Sequence, residues 1–365
     1  MTECKICLNI VVDQLPICGV CKVVEARMMG VHRLTKDISK PIESMFKATE
    51  VGKKAHHKFD AIVGISGGVD SCFIATLCGE AGLNIKLIHF DNGWNSSLAN
   101  QNIDNIVRKY HFPLESYVMP WPIFRSLQRS FLLASVPDVE LITDHAIFSY
   151  MAKIATQELA PVLFSGANFA TEHGLDERYL WNKLDSLNIK DINRRHENIC
   201  LDKYPMISPL KWFKHRFLSS NCRIATPLND FWYQRREAAR IMSALHGFKD
   251  YEFKHEESYF TKFYQRVILP QKFGYVKAKD HLNALIRNRE MSKSHAQSKL
   301  GAFGDLGGVA NYETKFVCDK LGMDEEDLAS ILKSKPVRHS QYRNLGIVMR
   351  PSLKLLSALN MRSMA

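Results

Sequence analysis

The hexapeptide Ser66-Gly67-Gly68-Val69-Asp70-Ser71 carries the residue types needed to hold an anion. Two glycines let backbone N–H groups close on a charged ligand without interference from Cβ atoms. Ser66 and Ser71 add hydroxyl donors, and Asp70 is placed to hold Mg²⁺ or to orient the loop. An apolar run (Ile62, Val63, Ile65) precedes the hexapeptide, and Phe73, Ile74, Leu77 and Cys78 follow at helical spacing. A helix starting here would add its free N–H groups and the positive end of its dipole. The pattern is therefore a phosphate cradle between a strand and a helix. It is not the Walker kind, whose G-x-x-x-x-G-K-[ST] is missing.

A second set of residues is suited to metal. Cys4-x-x-Cys7 and Cys18-x-x-Cys21 form two knuckles, each offering two thiolates on one side. Together they complete a tetrahedral Zn²⁺ site. Gly19 lies inside the second knuckle, where a tight turn is expected. Four thiolates leave no open position, so the predicted role is a structural staple for a module over residues 1–24. Cys72, Cys78, Cys200, Cys222 and Cys318 are scattered and read as thiols of a reducing compartment.

The elements that must position the loop follow from periodicity. Strands are predicted at 62–65, 85–90, 114–118 and 162–165. Leu98, Ile103, Ile106, Val107 and Tyr110 give one helical stripe between them. Ile147, Phe148, Met151, Ile154 and Leu159 give another. Alternating strands and helices predict an α/β fold with a parallel sheet and right-handed crossovers. Ligands of such sheets bind beyond the carboxyl ends of the strands. Asp91 and Asn92 are there, where a base and ribose would lie, and so are Gly166 and Asn168. Asp144 opens a helix and is either a cap or a substrate-site residue.

Around this domain (59–175), residues 25–58 read as a connecting helix or linker with His56-His57 exposed. Residues 176–335 read as a mainly helical acceptor or partner region, and 336–365 as a basic tail. Tyr259, Phe260, Phe263, Tyr264, Val267 and Ile268 form an apolar face expected in a core. The basic clusters Lys211, Lys214, His215, Arg216 and Arg235, Arg236, Arg240 read singly as solvated helix faces. A glycine-rich turn is expected over 301–308, and Asp324 to Asp327 place acid at a helix start.

With 365 residues, 46% hydrophobic and 24% charged, the chain has the composition of a soluble globular protein with a sizeable core. No apolar run is long enough to span a bilayer, and residues 1–30 show no signal-peptide core. A cytoplasmic location is expected, in solution or at the inner face of the inner membrane. A net charge of +11 suits anionic ligands without choosing among them.

The hexapeptide resembles the PP-loop of the ATP pyrophosphatase superfamily, whose adenine nucleotide α-hydrolase-like domains split ATP between its α and β phosphates. Gly166-Ala167-Asn168-x-x-Thr171-Glu172 is similar to the Gly-x-x-Asn-x-x-Glu region of ammonia-dependent NAD synthetases, with a spacing one residue different. That likeness implies Mg²⁺ binding by Glu172, beside Asp70. A narrower resemblance runs from about residue 4 to about 335. The double CxxC, SGGVDS, HFDNGWNSSLANQNIDNIVRKY, SVPDVELITDHAIFSYMAK, SGANFATE and KHEESYFTKFYQRVILPQKFGYVKAKDHLNALI occur in order. Together they resemble the N-acetyl sugar amidotransferase family of bacterial O-antigen and surface-glycan synthesis. The resemblance implies conversion of the N-acetyl group of a nucleotide-linked sugar to acetamidino, with ATP, Mg²⁺ and a structural Zn²⁺. Ammonia would come from a glutaminase partner, and no nucleic-acid partner is expected.

In that chemistry AMP is transferred to the amide oxygen, giving an O-adenylyl imidate, and ammonia then displaces AMP. A basic residue should meet the α-phosphate. Lys277, Lys279 and the pair Lys254-His255 are candidates; His255, Glu256 and Lys279 are selected, with Asp70, as the catalytic set. Glu257 and Ser258 serve equally well as caps of the following helix. Thr2 stands where an N-terminal nucleophile would need cysteine, and no cysteine sits in a Gly-x-Cys-x-Gly elbow, so ammonia is expected from a separate subunit. The competing reading is a PP-loop enzyme that thiolates or aminates a tRNA base, which the positive charge and the zinc module would suit. Cys200 and Cys222 are isolated, which counts against it. A non-catalytic adaptor built on a dead loop is the third reading, and the intact hexapeptide counts against that.

Overall fold

A computed structural model describes residues 2–11, 16–51, 57–157, 160–208, 223–304 and 309–345. His56, Leu159, the basic cluster 211–216, Cys222, part of the glycine-rich turn 301–308 and most of the basic tail lie outside the described residues.

The chain opens on a two-stranded antiparallel ribbon, β1 (Thr2–Glu3) and β2 (Ile10–Val11). Five parallel strands follow: β3 (Ala61–Ile65), β4 (Ile85–Asp91), β5 (Leu114–Val118), β6 (Val162–Phe164) and β7 (Arg223–Ala225). Their spatial order is β5-β4-β3-β6-β7. The chain moves outward from β3 through β4 to β5, then returns to the other side of β3 to lay down β6 and β7. That reversal leaves a crevice at the carboxyl ends of β3 and β6, the place where open α/β sheets take their ligands. The four predicted strands are present. The fifth, β7, is a three-residue edge strand with two exposed positions, and so it carries no apolar pattern to read.

The helix after the loop, Val69–Glu80, differs from the expected one-sided stripe. Val69 and Cys72 to Cys78 are all buried. The helices Ser39–Glu50, Ser97–Tyr110 and Arg235–His246 pack around it, so it lies within a core instead of on a surface.

The chain divides into two compact units, each discontinuous in sequence. The first holds residues 1–118, 153–176 and 219–317, and contains the sheet, the four clustered cysteines and the helices between residues 235 and 304. The second holds 119–152, 177–218 and 318–365 and is helical among its described residues. Its core includes Phe124, Leu127, Phe131, Ile189 and Ile192. There the buried Asp138 accepts from Lys183 Nζ (2.7 Å) and from Trp181 N (2.7 Å). Asp144 pairs with the same Lys183 at 2.9 Å, so it is bound into an ion cluster and is not the cap of its helix.

Candidate active site

The site is built where β3 ends. Gly67 takes φ +82°, and a Cβ there would lie 2.6 Å from the Ala99 carbonyl oxygen. Glycine is therefore required twice over, for its backbone angle and for the close approach. The Gly67 carbonyl accepts from Tyr251 Oη (3.0 Å) and from Asn102 Nδ2 (3.2 Å), which ties the loop to two separate elements. Ser66 and Ser71 hydroxyls lie 3.1 Å apart, and Ser71 Oγ donates to the Gly68 carbonyl at 3.2 Å. The helix Val69–Glu80 has Gly68 as N-cap and no side chain capping it, so its first N–H groups face the crevice. Gly166, at the end of β6, serves packing: a Cβ there would sit 2.9 Å from the Asp70 carbonyl carbon.

A second chain segment closes over this loop. Asn95 and Ser258 form a β-bridge, Ser96 N donates to the Glu257 carbonyl at 2.8 Å, and Tyr259 N donates to the Trp94 carbonyl at 2.8 Å. Trp94 is fully buried against Phe260, with ring centroids 5.4 Å apart, and anchors the join. Lys254 is thereby brought 184 residues along the chain to Asp70. Its Nζ lies 2.9 Å from Asp70 Oδ2, 2.9 Å from Glu172 Oε1 and 3.0 Å from Thr171 Oγ1. Tyr233 donates to the other Asp70 oxygen at 2.5 Å. Burial alone would raise the Asp70 carboxyl, but the Lys254 charge and the Tyr233 bond outweigh it and hold Asp70 below the usual carboxylate range. Burial likewise opposes the Lys254 charge, and Asp70 and Glu172 reverse that effect, so Lys254 stays protonated above the ordinary lysine range. Burial would raise the Glu257 carboxyl, but His255, 3.7 Å away, and the Lys254 charge hold it below the usual carboxylate range.

These groups surround a cavity of about 190 Å³. Ser66, Gly68, Asp70, Ser71, Gly166 and Glu172 line it from the sheet. Arg235, Tyr251, Lys254, His255 and Glu257 line it from the covering segment. His255 adopts φ +67°, a left-handed conformation that costs on the order of 1 kcal/mol for a non-glycine residue. This turn sends Lys254, His255 and Glu257 to the cavity and Glu256 away from it. Glu256 is fixed by Arg266 Nη2 (2.6 Å) and Nε (2.8 Å).

Several expected residues have other local partners. Asp91 Oδ1 accepts from Gly93 N (2.7 Å) and Asn92 Oδ1 from Trp94 N (3.2 Å), so both shape the turn after β4. Asn168 caps the short helix Phe169–Glu172 by accepting from Thr171 N at 2.9 Å, which presents Thr171 and Glu172 to Lys254. Ser258 caps Tyr259–Phe263. Lys279 is half-buried in the helix Lys277–Arg287, where its charge acts on Glu3. Tyr233, Arg235 and Tyr251 carried no motif. Arg235 and its neighbours showed only a basic cluster, whereas Arg235 is in fact clamped to Asp250 at 2.6 and 3.0 Å.

Two of the cavity's carboxylates, on Asp70 and Glu172, converge on one ammonium. With Glu257 they put three acids beside a phosphate cradle. Such a site takes a polyphosphate only with cations to offset the repulsion, and paired carboxylates beside phosphate oxygens are the donor set that Mg²⁺ prefers.

The four cysteines are also together. Cys4 Sγ is 3.9 Å from Cys21 Sγ, Cys7 Sγ is 3.6 Å from Cys18 Sγ, and all four sulfurs lie within 4.8 Å of one another. Tetrahedral Zn²⁺ with bonds of about 2.3 Å needs sulfurs about 3.8 Å apart, so the donor set fits. Cys18 N, Cys21 N and Asn9 Nδ2 donate to the sulfurs, and Arg287 Nε reaches Cys21 Sγ at 3.2 Å. Gly19 is the first residue of the helix Gly19–Arg33 and not a turn glycine, because Cys18 itself caps that helix through sulfur. The module docks on later helices: Leu8 N donates to Asn283 Oδ1 at 2.7 Å and Lys293 Nζ to the Cys4 carbonyl at 2.8 Å.

Residues 257–354 match the family model described as LPS biosynthesis protein WbpG-like, C-terminal domain. This agrees with the resemblance carried by the motifs. No curated protein matches the chain. Among solved structures, the chain is similar to an NMN synthetase from Francisella tularensis at 10% identity and a TM-score of 0.38, over 75% of this chain and 95% of that one. It is also similar to an NH3-dependent NAD synthetase from Campylobacter jejuni at 14% identity and a TM-score of 0.35, over 72% and 96%. Among the described residues no helix is long and apolar enough to cross a membrane.

Proposed function

We propose that the chain is an ATP-dependent amidotransferase that turns the N-acetyl group of a nucleotide-linked sugar into an acetamidino group. The observation that carries this reading is the Asp70–Lys254–Glu172 cluster at the mouth of the Ser66–Ser71 loop. The loop and the helix N-terminus receive the β and γ phosphates of ATP. Lys254, at the far wall of the same cavity, meets the α-phosphate when its carboxylate partners turn to cation binding. Asp70 and Glu172 would hold Mg²⁺, which when bound supplies charge neutralisation for the polyphosphate. His255 and Glu257, 3.7 Å apart, give a proton-handling pair on the same wall. Glu256 acts by fixing the covering segment through its pair with Arg266.

An amide oxygen is a poor leaving group, so it must be activated. The amide oxygen attacks the α-phosphorus and pyrophosphate departs into the cradle. Ammonia then adds to the imidate carbon, and AMP leaves with the former amide oxygen. The protein's part is positioning and charge stabilisation. The WbpG-like match over residues 257–354 supports a role in surface-polysaccharide synthesis. A separate glutaminase supplies the ammonia, and the four cysteines hold a structural Zn²⁺.

The test is pyrophosphate and AMP release from ATP with ammonium chloride and a panel of nucleotide-linked N-acetyl sugars. The reading predicts stoichiometric AMP and pyrophosphate with one or more sugars, and no turnover when glutamine replaces ammonium. ADP and phosphate as products, or glutamine-driven turnover by the chain alone, would count against it.

A further inference from the structure

A second cavity, of about 250 Å³, lies beside the first, and the two share Arg235, Tyr251, Phe253 and Lys254 as a common wall. The ammonium of Lys254 therefore stands between them. The second chamber has no part of the Ser66–Ser71 loop in its lining. Its floor is apolar and comes from the helix Lys277–Arg287 and its surroundings: Ala278, Leu282, Leu285 and Met291, with Phe253. Its rim is basic, with Arg236, His295 and Lys299.

The acids in this lining are already engaged. Asp250 is paired with Arg235 at 2.6 Å and Glu252 with Arg266 at 3.4 Å. Among the described residues neither the Arg236 guanidinium nor the Lys299 ammonium forms an ion pair with a carboxylate; Arg236 meets Glu290 Oε2 only through its backbone N–H, at 3.1 Å, and Lys299 Nζ donates to the Glu252 carbonyl at 3.0 Å and lies over the Phe253 ring. The rim thus carries uncompensated positive charge above an apolar floor. Size narrows the ligand further. Pockets that engulf a drug-sized molecule run from about 300 to 1,000 Å³, so 250 Å³ takes a group no larger than one sugar ring and leaves the remainder over the rim. His281, in the same lining, is held well below the ordinary histidine range, first by burial and then by the nearby Lys277 and Lys254 charges, which leaves it neutral and able to accept a hydrogen bond.

We infer that this second chamber is the acceptor site: the N-acetyl sugar ring rests on the Leu282–Leu285–Met291 floor with its acetamido oxygen toward Lys254, and the diphosphate that carries the sugar lies against Arg236 and Lys299. The inference rests on the amidotransferase reading and adds the place where the acceptor binds and the residues that hold its sugar ring and diphosphate. It also gives the shared wall a purpose. The amide oxygen and the α-phosphorus must meet, and the Lys254 boundary is the point common to both chambers.

The test uses the full chain and three probes measured by calorimetry: MgATP, UDP-N-acetylglucosamine and UDP. Two variants separate the parts of the site. Arg236→Glu reverses an exposed rim charge, and Leu285→Trp fills the floor. MgATP affinity should stay within about twofold of the parent in both. Arg236→Glu should weaken both UDP-N-acetylglucosamine and UDP by about tenfold or more, the loss of a charge-assisted contact. Leu285→Trp should weaken the sugar nucleotide by a similar factor while leaving UDP nearly unchanged. Sugar-nucleotide binding indifferent to both variants overturns the assignment, as does no binding of it by the parent chain. Joint loss of MgATP in Arg236→Glu overturns it too, because the two chambers would then be one site. If Leu285→Trp does not fold, Arg236→Glu decides alone. Failure of the parent chain to bind MgATP removes the amidotransferase reading itself, whereas retained MgATP binding with an unaffected sugar nucleotide removes only this inference.

Discussion

The cysteine cluster and the Ser66–Ser71 loop are both short motifs rich in small and polar residues, yet they are finished in opposite ways. In the cluster, four sulfurs face one another and nearby N–H groups point at them, leaving nothing open. In the loop, the carbonyl of Gly67 is pinned from behind by Tyr251 and Asn102, while the helix N-terminus and three carboxylates face a cavity. A closed donor set stores its free energy in folding; an open one keeps it for a ligand. The contrast also explains their placement. The cluster buttresses the helices behind the second chamber, with Leu8 packed in one core with Phe253, Ala278 and Leu282, and the loop forms the first chamber.

The comparison breaks first at the cysteines. Zinc analysis should return one ion per chain, and Cys4→Ser or Cys21→Ser should abolish it together with soluble, folded protein. The free energy at stake is on the order of 10 kcal/mol for a structural zinc. Variants that fold and melt normally without metal would make the cluster dispensable. Next in size is Asp70→Ala. Pyrophosphate release should fall roughly a thousandfold with an unchanged circular dichroism spectrum, the scale seen when one preorganised electrostatic group is removed. Lys254 keeps Glu172 as a partner in that variant, so the fold survives. Lys254→Met should follow, with turnover down about a hundredfold. Its Mg²⁺ dependence should also shift toward lower concentrations, since the competing ammonium is gone; an unaltered Mg²⁺ titration would remove Lys254 from the cation site.

The smallest effect lies on the seam between the two regions. Gly174, beside His173, approaches Arg287 and Val20 of the cysteine side so closely that a Cβ would lie 2.8 and 3.0 Å from them. Burial holds the His173 imidazole down at about 4, against an ordinary value near 6.5. The folded chain then binds fewer protons than the unfolded chain between those values. Stability is therefore present above pH 6.5 and is lost as pH falls from 6.5 toward 4. His339 in the second unit, also held at about 4 by burial, adds a loss in the same window. Each is worth about 1–3 kcal/mol at the acid end. Melting temperatures measured at pH 7 and pH 4.5 should show the loss, and His173→Asn should reduce it; a flat profile would place His173 in contact with solvent.

Much of the fold was legible because its signals are local. The strands β3, β4 and β6 carry runs of buried apolar residues, and the hexapeptide and the CxxC pairs are contiguous motifs. The covering wall was not legible, because it depends on a pairing between Asn95 and Ser258 that no periodicity encodes. Within that wall the left-handed turn at His255 decides which side chains face the cavity. Lys254 and Glu257 point in, and Glu256 points to Arg266. A reading by sequence proximity selects Glu256 and Lys279 because it has no access to that turn. Tyr233 and Tyr251 bore no motif, since an aromatic residue in a core pattern does not reveal which way its hydroxyl will go.

The measurement that tests the central claim most directly follows one oxygen atom. A nucleotide-linked sugar whose acetamido oxygen is ¹⁸O is incubated with the chain, ATP and ammonium, and the AMP is weighed by mass spectrometry. Activation by adenylyl transfer predicts that the label leaves the sugar and appears in AMP, one atom for each amidine formed. Label found in inorganic phosphate or in water, with unlabelled AMP, would contradict the account.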